Sequence, residues 1–446
     1  MAAPDEAVKE SETPLGSSGI RQEPTRTRWW ILILISLMYL ICYMDRSNIS
    51  VAQPEIARQF HLSKSTMSLV LAAFTWAYAL GQVPAGWLGD HFGAKRVLTI
   101  IMSWWSAAAM MTGAAIGLGS LFGARFLLGV GEAGAFPVAS RGMLLWFPRS
   151  ERGRIQGITH FFSRFAVAVT PFVAGSIIIA FGWRAIFYIF GSLGILWAIA
   201  FSALYQDRPE DHPAVNAAEL GQIRGVDERG LPRTFAFDRQ PAPWRRILLS
   251  ANMWFVAIGY ACFFFGSNFY LTWYPTYLRE HRHLSLTALG FWGSVPLFAG
   301  MIGDITGGTL SDLIFRRTKN ARVARRVVAA PGFLFAALFV IPAALTSDPV
   351  TSILYLAASF FFLEWVIGPA WAVPMDIGGK FSGTVTGVMN MVGAIGGSLA
   401  AIVYGTLFDR GLWVTPFFVS AGVMALGALI WIFLIDPDNS IVEANA

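Results

Sequence analysis

Apolar windows of about 20 residues, the length a helix needs to cross a hydrocarbon core, recur along almost this whole chain. They lie near 29–50, 66–88, 97–117, 120–143, 155–180, 184–204, 252–277, 287–311, 328–346, 351–374, 383–407 and 414–435. In lipid a backbone must satisfy its own N–H and C=O groups, so windows of this length read as α-helices. The expected fold class is an all-α integral membrane protein, twelve transmembrane helices in two groups of six. Composition agrees: 55% of residues are hydrophobic and 13% charged, with a mean hydropathy of +0.55, far from the usual soluble balance.

The polar segments divide the chain. Residues 1–28 are rich in Pro, Gly, Ser and charge and bury too little apolar surface to fold, so they are expected to form a disordered cytoplasmic tail. A six-helix half should occupy 29–204, a polar cytoplasmic linker 205–246, a second half 247–436, and a short cytoplasmic tail 437–446. No apolar segment with a cleavage site precedes the first span, so that helix is expected to insert uncleaved. With the N-terminus inside, 23 of the 33 Lys and Arg fall on the cytoplasmic side, 6 outside and 4 within or at the edge of spans. This is the positive-inside bias. The net charge of +6 is therefore topological, and no nucleic-acid partner is expected. The thiols of Cys42 and Cys262 read as free and buried, and the histidines show no metal-site spacing.

An internal repeat supports the division. "GWLGDHFGAKR" at 86–96 matches "GTLSDLIFRR" at 308–317, with Asp90 and Asp312 separated by 222 residues, close to half the chain. Repeated halves with a site between them near the bilayer midplane are a common transporter design and imply alternating access. At the end of a span, Asp90 or Asp312 can favour a neighbouring helix N-terminus and pair with Arg96 or with Arg316 and Arg317. Gly86, Gly93 and Gly308 allow close backbone approach. These residues are expected to form gating loops.

An ionisable side chain at the bilayer centre costs about 2.5–3.5 kcal/mol even on a lenient scale and faces a partner or a cavity. The first half places Asp45 and Arg46 in its first span, Arg125 and Glu132 in its fourth, and Arg164 in its fifth. Arg125 and Glu132 share a helix face about 10 Å apart, in a segment thinned by Gly129, Ala133, Gly134 and Ala135. His160 and Arg164 lie one turn apart on one face, with Ser163 beside them. Desolvation raises a carboxyl pKa and a nearby cation lowers it, which makes Asp45 and Glu132 candidate proton carriers. Guanidinium groups keep their charge and grip carboxylates bidentately, which makes Arg46, Arg125 and Arg164 candidate anion clamps. The second half offers Asp304, and Glu364 as a possible second proton site or a buried glutamate bridging helices. Its polar and aromatic groups Asn268, Trp371 and Asn390, with Tyr43 and Tyr78 from the first half, can stack on and hydrogen-bond a hydroxylated ligand.

Several stretches carry a family resemblance. "GWLGDHFGAKR" resembles the signature loop of the major facilitator superfamily, although His91 stands where a basic residue is usual. "RFLLGVGEAGAFP", "YMDRSNISVAQPEIA", "NFYLTWYPTYL", "FGWRAIFYIFG" and "GPAWAVPMDIGGKFSGTVTGVMNMVGAIGG" resemble its anion:cation symporter branch, which includes bacterial hexuronate, hexonate and aldarate importers. The resemblance implies the major facilitator fold. It also implies proton coupling through Asp45 and Glu132 and substrate-carboxylate binding by Arg46. Several sugar-acid importers carry glutamine where this chain has Ser163, and His160 and Arg164 are additions that favour a substrate with a second anionic group.

The function expected from the sequence is proton-coupled import of a small organic anion, a sugar acid such as a hexuronate, hexonate or aldarate or a related carboxylate, by a rocker-switch carrier. It should act as a monomer in the inner membrane, with both termini cytoplasmic and no cofactor or metal. An organic-anion or phosphate-ester exchanger, or a drug/proton antiporter, of the same fold is the alternative. Neither matches as well, since an exchanger needs no carboxylate proton site and a carrier of cations needs no set of intramembrane arginines. An enzyme is not expected, because no nucleophile and base occur at usable spacing.

Overall fold

A computed structural model describes residues 23–225, 241–285, 288 and 291–441. The tail through residue 22, the middle of the linker at 226–240, the start of the eighth span near 287 and residues 442–446 lie outside them. Every regular element among the described residues is helical. The first half comprises α1 (Thr27–Gln59), α2 (Lys64–Phe92), α3 (Ala94–Gly113), α4 (Leu118–Glu132), α5 (Ala135–Trp146), α6 (Arg152–Phe181) and α7 (Trp183–Leu204). Two short helices follow, α8 (Ala217–Arg224) and α9 (Trp244–Leu249). The second half runs through α10 (Ala251–Asn268), α11 (Val295–Thr318), α12 (Ala321–Leu345), α13 (Pro349–Glu364), α14 (Ile367–Gly378), α15 (Ser382–Asp409) and α16 (Thr415–Phe433).

Nine helical stretches among the described residues are long and apolar enough to cross a bilayer, and one, Pro349–Asp409, has 61 residues, enough for two crossings. The more polar α3 and α11 occupy the other places expected from the sequence. Two crossings are broken in the middle. Pro137 cannot donate to the carbonyl four residues back, so the helix stops at Glu132 and resumes as α5; Pro369 does the same between α13, which ends at Glu364, and α14. Past Asn268, α10 widens into π-type turns at Phe269–Trp273 and Tyr277–His281, a loosening that often marks functional segments.

Within the first half α1 packs on α6 and α7, and α3 on α4 and α7; within the second α10 packs on α15 and α16, and α12 on α13 and α16. The halves meet where α2 lies along α15 and α6 along α11 and α14. Glycines permit both contacts. A Cβ at Gly86 would run into the carbonyl of Gly383, and one at Gly308 into that of Gly153. These contacts lie toward the face carrying the α2–α3 and α11–α12 turns, called the basic face below.

The described residues that border the tails and the linker are packed against the helices. Glu219 of α8 is buried and accepts hydrogen bonds from Thr27 N (3.2 Å), Arg28 N (2.9 Å) and Thr25 Oγ1 (2.5 Å). A carboxylate at a helix N-terminus satisfies orphan donors and the dipole together, so α1 starts at Thr27 rather than 29. At the other end Ile441 N donates to Ile377 O at 2.9 Å, and Arg149 Nη2 to Pro437 O at 2.9 Å. Residues 23–28 and 437–441 are thus packed segments of the basic face.

Candidate functional site

Arg46 organises the centre of the first half. Its Nε lies 2.7 Å from Glu132 Oε2, and its guanidinium sits over the rings of Tyr78 (4.3 Å), Tyr43 (5.1 Å), Phe136 (5.2 Å) and Phe74 (5.5 Å). Glu132 is fully buried, while the Arg46 side chain keeps 19% of its surface exposed. The pair therefore has one sealed partner and one that is partly exposed. Cys42 Sγ donates to the same Glu132 oxygen at 3.4 Å. Asp45 is buried beside Trp105 and lies in electrostatic reach of Glu132 and Arg125. Arg125 is buried over the Phe74 ring at 4.9 Å. Two guanidinium groups and two carboxylates make this cluster neutral when all four are charged.

The second half closes over it. Asn390 Nδ2 donates to Tyr78 Oη at 3.1 Å. Phe136 meets the Trp371 ring at 5.9 Å, His160 meets it at 4.9 Å, and Trp371 Nε1 donates to Tyr260 Oη at 2.8 Å. His160 Nδ1 lies 2.9 Å from Gln156 O; a carbonyl only accepts, so that nitrogen carries the proton. Arg164 also spans the halves, with Nη2 2.8 Å from Glu364 Oε1. Tyr43, Arg46, Tyr78, His160, Trp371 and Asn390 are thus linked, partly through Phe136, in one aromatic and polar cluster, called the chamber below.

Below the chamber the halves are bolted by two matching carboxylates. Asp90 Oδ1 accepts from Gly383 N (2.9 Å) and Oδ2 from Thr384 N (2.6 Å), capping α15 of the opposite half. Asp312 Oδ1 accepts from Gly153 N (3.1 Å) and Oδ2 from Arg154 N (2.6 Å), capping α6 in the reciprocal direction. Arg141 lies 3.8 Å from Asp90 and Arg325 lies 2.6 Å from Asp312. Asp376 adds Arg152 at 2.6 Å and Arg149 at 3.2 Å. Among the described residues, the hydrogen bonds and ion pairs between halves reach from this face to the depth of Arg164–Glu364 and Tyr78–Asn390. The outer ends of the first-half helices gather into their own cluster, around Ile49, Ile56, Met67 and Trp183.

Comparison with known proteins fits this geometry. The family model described as Major Facilitator Superfamily matches residues 35–401. The chain belongs to that superfamily. The transporter is 40% identical over 412 residues to a Cupriavidus necator protein named "Probable sulfoacetate transporter", covering 92% of this chain and 94% of that one. It is 31% identical over 435 residues to an Escherichia coli protein named "Probable galactarate/D-glucarate transporter", covering 95% and 96%. It is 30% identical over 407 residues to the chloroplastic ascorbate transporter of Arabidopsis thaliana, covering 91% and 74%. It is a multi-pass membrane carrier of organic anions, and not an enzyme.

Some expected residues lie apart from the chamber of the transporter. Ser163 is buried and returns its hydroxyl to Thr159 O at 3.4 Å, within its own helix. Asn268 lies against Gly397, two turns along α15 from Asn390. Arg125 is not the ion-pair partner of Glu132, which gives its bonded oxygen to Arg46. On the basic face, Arg96 lies over the Phe92 ring at 5.8 Å, Arg316 bonds Ser150 O and Glu151, and Arg317 is exposed. The aspartates pair instead with Arg141 of α5 and Arg325 of α12. Gly93 makes the turn between α2 and α3 at φ +88°, which favours glycine. Phe136, Tyr260, Asp376 and Arg325 were not singled out by sequence reasoning; Asp376 and Arg325 are ordinary loop-edge charges until the fold brings them together.

Hydrogen bonds to a charged acceptor are each worth about 1.5–3 kcal/mol. Asp312→Asn weakens both its capping contacts and its Arg325 pair. It should shift the equilibrium toward a basic face that is open by about 10- to 100-fold, measurable as a longer spin-label distance between the halves; an unchanged distance distribution would exclude a gating role for Asp312.

Proposed function

We propose that the protein is a proton-coupled symporter that imports a small organic diacid across the inner membrane by alternating access of its two halves. The observation that carries this is the 2.7 Å contact between Arg46 Nε and the sealed carboxylate of Glu132. An incoming carboxylate or sulfonate competes with Glu132 for Arg46. Once displaced, Glu132 is a buried charge without its partner, and such a group takes a proton rather than remain ionised. Anion and proton therefore bind together, and Asp45 is placed to relay the proton.

Tyr78 and Asn390 offer hydroxyl and amide groups across the halves, and Tyr43, Trp371 and His160 complete the walls; this combination suits a hydroxylated or compact acid. The substrates named for two of these relatives, sulfoacetate and galactarate or glucarate, carry two acid groups. With the basic face cytoplasmic, as the positive-inside bias requires, both ends of the chain lie inside. The state described is then closed inward. Its gates, Asp90 and Asp312 at their helix N-termini, must release for the acid to leave. Both halves of the proposed site come from one chain, so the proposed working unit is a monomer.

A thermal-shift screen of purified protein tests this reading. Sulfoacetate or galactarate at 100 times its Kd should stabilise the fold by about 2.7 kcal/mol, and Arg46→Ala should erase the shift. Stabilisation by cationic drugs alone, with no response to acids, would point to an antiporter.

A further inference from the structure

The Arg46 cluster has a structural counterpart that the proposed coupling does not use. Glu132 is the last residue of α4, with Pro137 five positions on; Glu364 is the last residue of α13, with Pro369 five positions on. Both pairs are separated by 232 residues, so the two glutamates occupy the same place in the two repeats. Each sits at a helix break and each pairs with an arginine. The charge balance differs. Around Arg46 two cations face two carboxylates, whereas around Glu364 a single guanidinium, Arg164, faces two: Glu364 at 2.8 Å and Asp304 of α11.

Both carboxyl groups are sealed, Asp304 and Glu364 having no exposed surface. Apart from the contact between the two carboxyl groups themselves, neither Asp304 oxygen nor Glu364 Oε2 has a hydrogen-bond partner. Glu364 packs its chain on α11, at Gly300 and Gly303, and Gly157 of α6 closes on the Asp304 carbonyl. Two carboxylates sharing a dry site with one cation do not both ionise. We propose that Asp304 and Glu364 hold one shared proton while the basic face is closed, and that this proton is exchanged only with the basic side when α6 and α11 part. Closing that face then requires a proton from the same side, which makes it a pH-sensitive latch distinct from the transported proton. The proposal rests on the rocking of the halves but not on the role of Glu132.

The groups that face the latch are Arg164 and His160 on α6, Tyr43 on α1, Tyr260 on α10 and Tyr270 just beyond it. Of these, His160 carries an imidazole, the side chain used for switching near neutral pH, and it is the control. The closed state binds one proton more than the open state, so the ratio of open to closed should rise about tenfold per pH unit above the ordinary carboxyl range. Below that range both states hold the proton and the dependence disappears.

Spin labels at Arg96→Cys and Arg317→Cys, both exposed on the basic face, report the separation of the halves in substrate-free protein. Asp304→Asn or Glu364→Gln leaves one carboxylate balanced by Arg164, so either should flatten the pH dependence, while Glu132→Gln and His160→Gln keep it. If one amide variant does not fold, the other decides. A pH-independent distance distribution in the parent protein, or a slope retained in Asp304→Asn and Glu364→Gln, overturns the latch. Loss of the slope in Glu132→Gln instead would move the exchanged proton to the Arg46 cluster.

Discussion

Arg46→Ala is expected to abolish binding of the transported acid, with a loss of at least 30-fold and up to several thousand-fold in affinity. Truncating one partner of a buried, hydrogen-bonded charge pair costs about 2–5 kcal/mol, and Arg46 is the partly exposed cation of the chamber. The same change strands Glu132, whose buried charge depends on that guanidinium. Breaking a buried ion pair from one side costs about 3–5 kcal/mol of stability, unless the carboxyl group takes a proton. Arg46→Ala should therefore also lower thermal stability, more so as pH rises. Adding Glu132→Gln removes the stranded charge and should recover most of that loss without restoring binding. Calorimetry and thermal unfolding on the two single variants and the double variant separate these effects, and retained affinity in Arg46→Ala would exclude it as the clamp.

The elements of the fold could be read from the chain because lipid leaves few choices. Long apolar windows must be helices, and every charge inside one costs enough to mark itself. That logic finds Asp45, Arg46, Glu132, Arg164 and Glu364 one at a time. It does not find their partners. Arg46 and Glu132 meet because α1 packs on α5, next to the helix break at which Glu132 sits, and Arg164 meets Glu364 across 200 residues of sequence; helical spacing has no bearing on either. The same limit explains the gate. Asp90 and Asp312 were visible through the repeat, but nearness in sequence suggested Arg96, Arg316 and Arg317, while the packed halves supply Arg141, Arg325 and the backbone N–H groups of α15 and α6. Ser163 faces its own helix for a related reason. Being one residue from Arg164 turns it by about 100°, away from the interface that Arg164 crosses. The packed ends at 23–28 and 437–441 were hidden because their anchors, Glu219 and Ile377, lie far along the chain.

Glu132→Gln gives the sharpest contrast among the functional variants. A glutamine keeps the shape and can hydrogen-bond Arg46, but it carries no proton and no charge, so the anion no longer has to displace a carboxylate. Exchange of substrate across the membrane should persist, and affinity should lose its dependence on pH. One coupled proton supports about tenfold accumulation per unit of pH gradient, the equivalent of 1.36 kcal/mol, and this is what the variant should lose.

The most direct measurement is therefore paired uptake in proteoliposomes, using whichever acid the thermal-shift screen selects, for the parent protein and Glu132→Gln. The expected result is gradient-driven accumulation in the parent alone, with counterflow in both. Accumulation by Glu132→Gln at the parent level would contradict proton coupling through this residue.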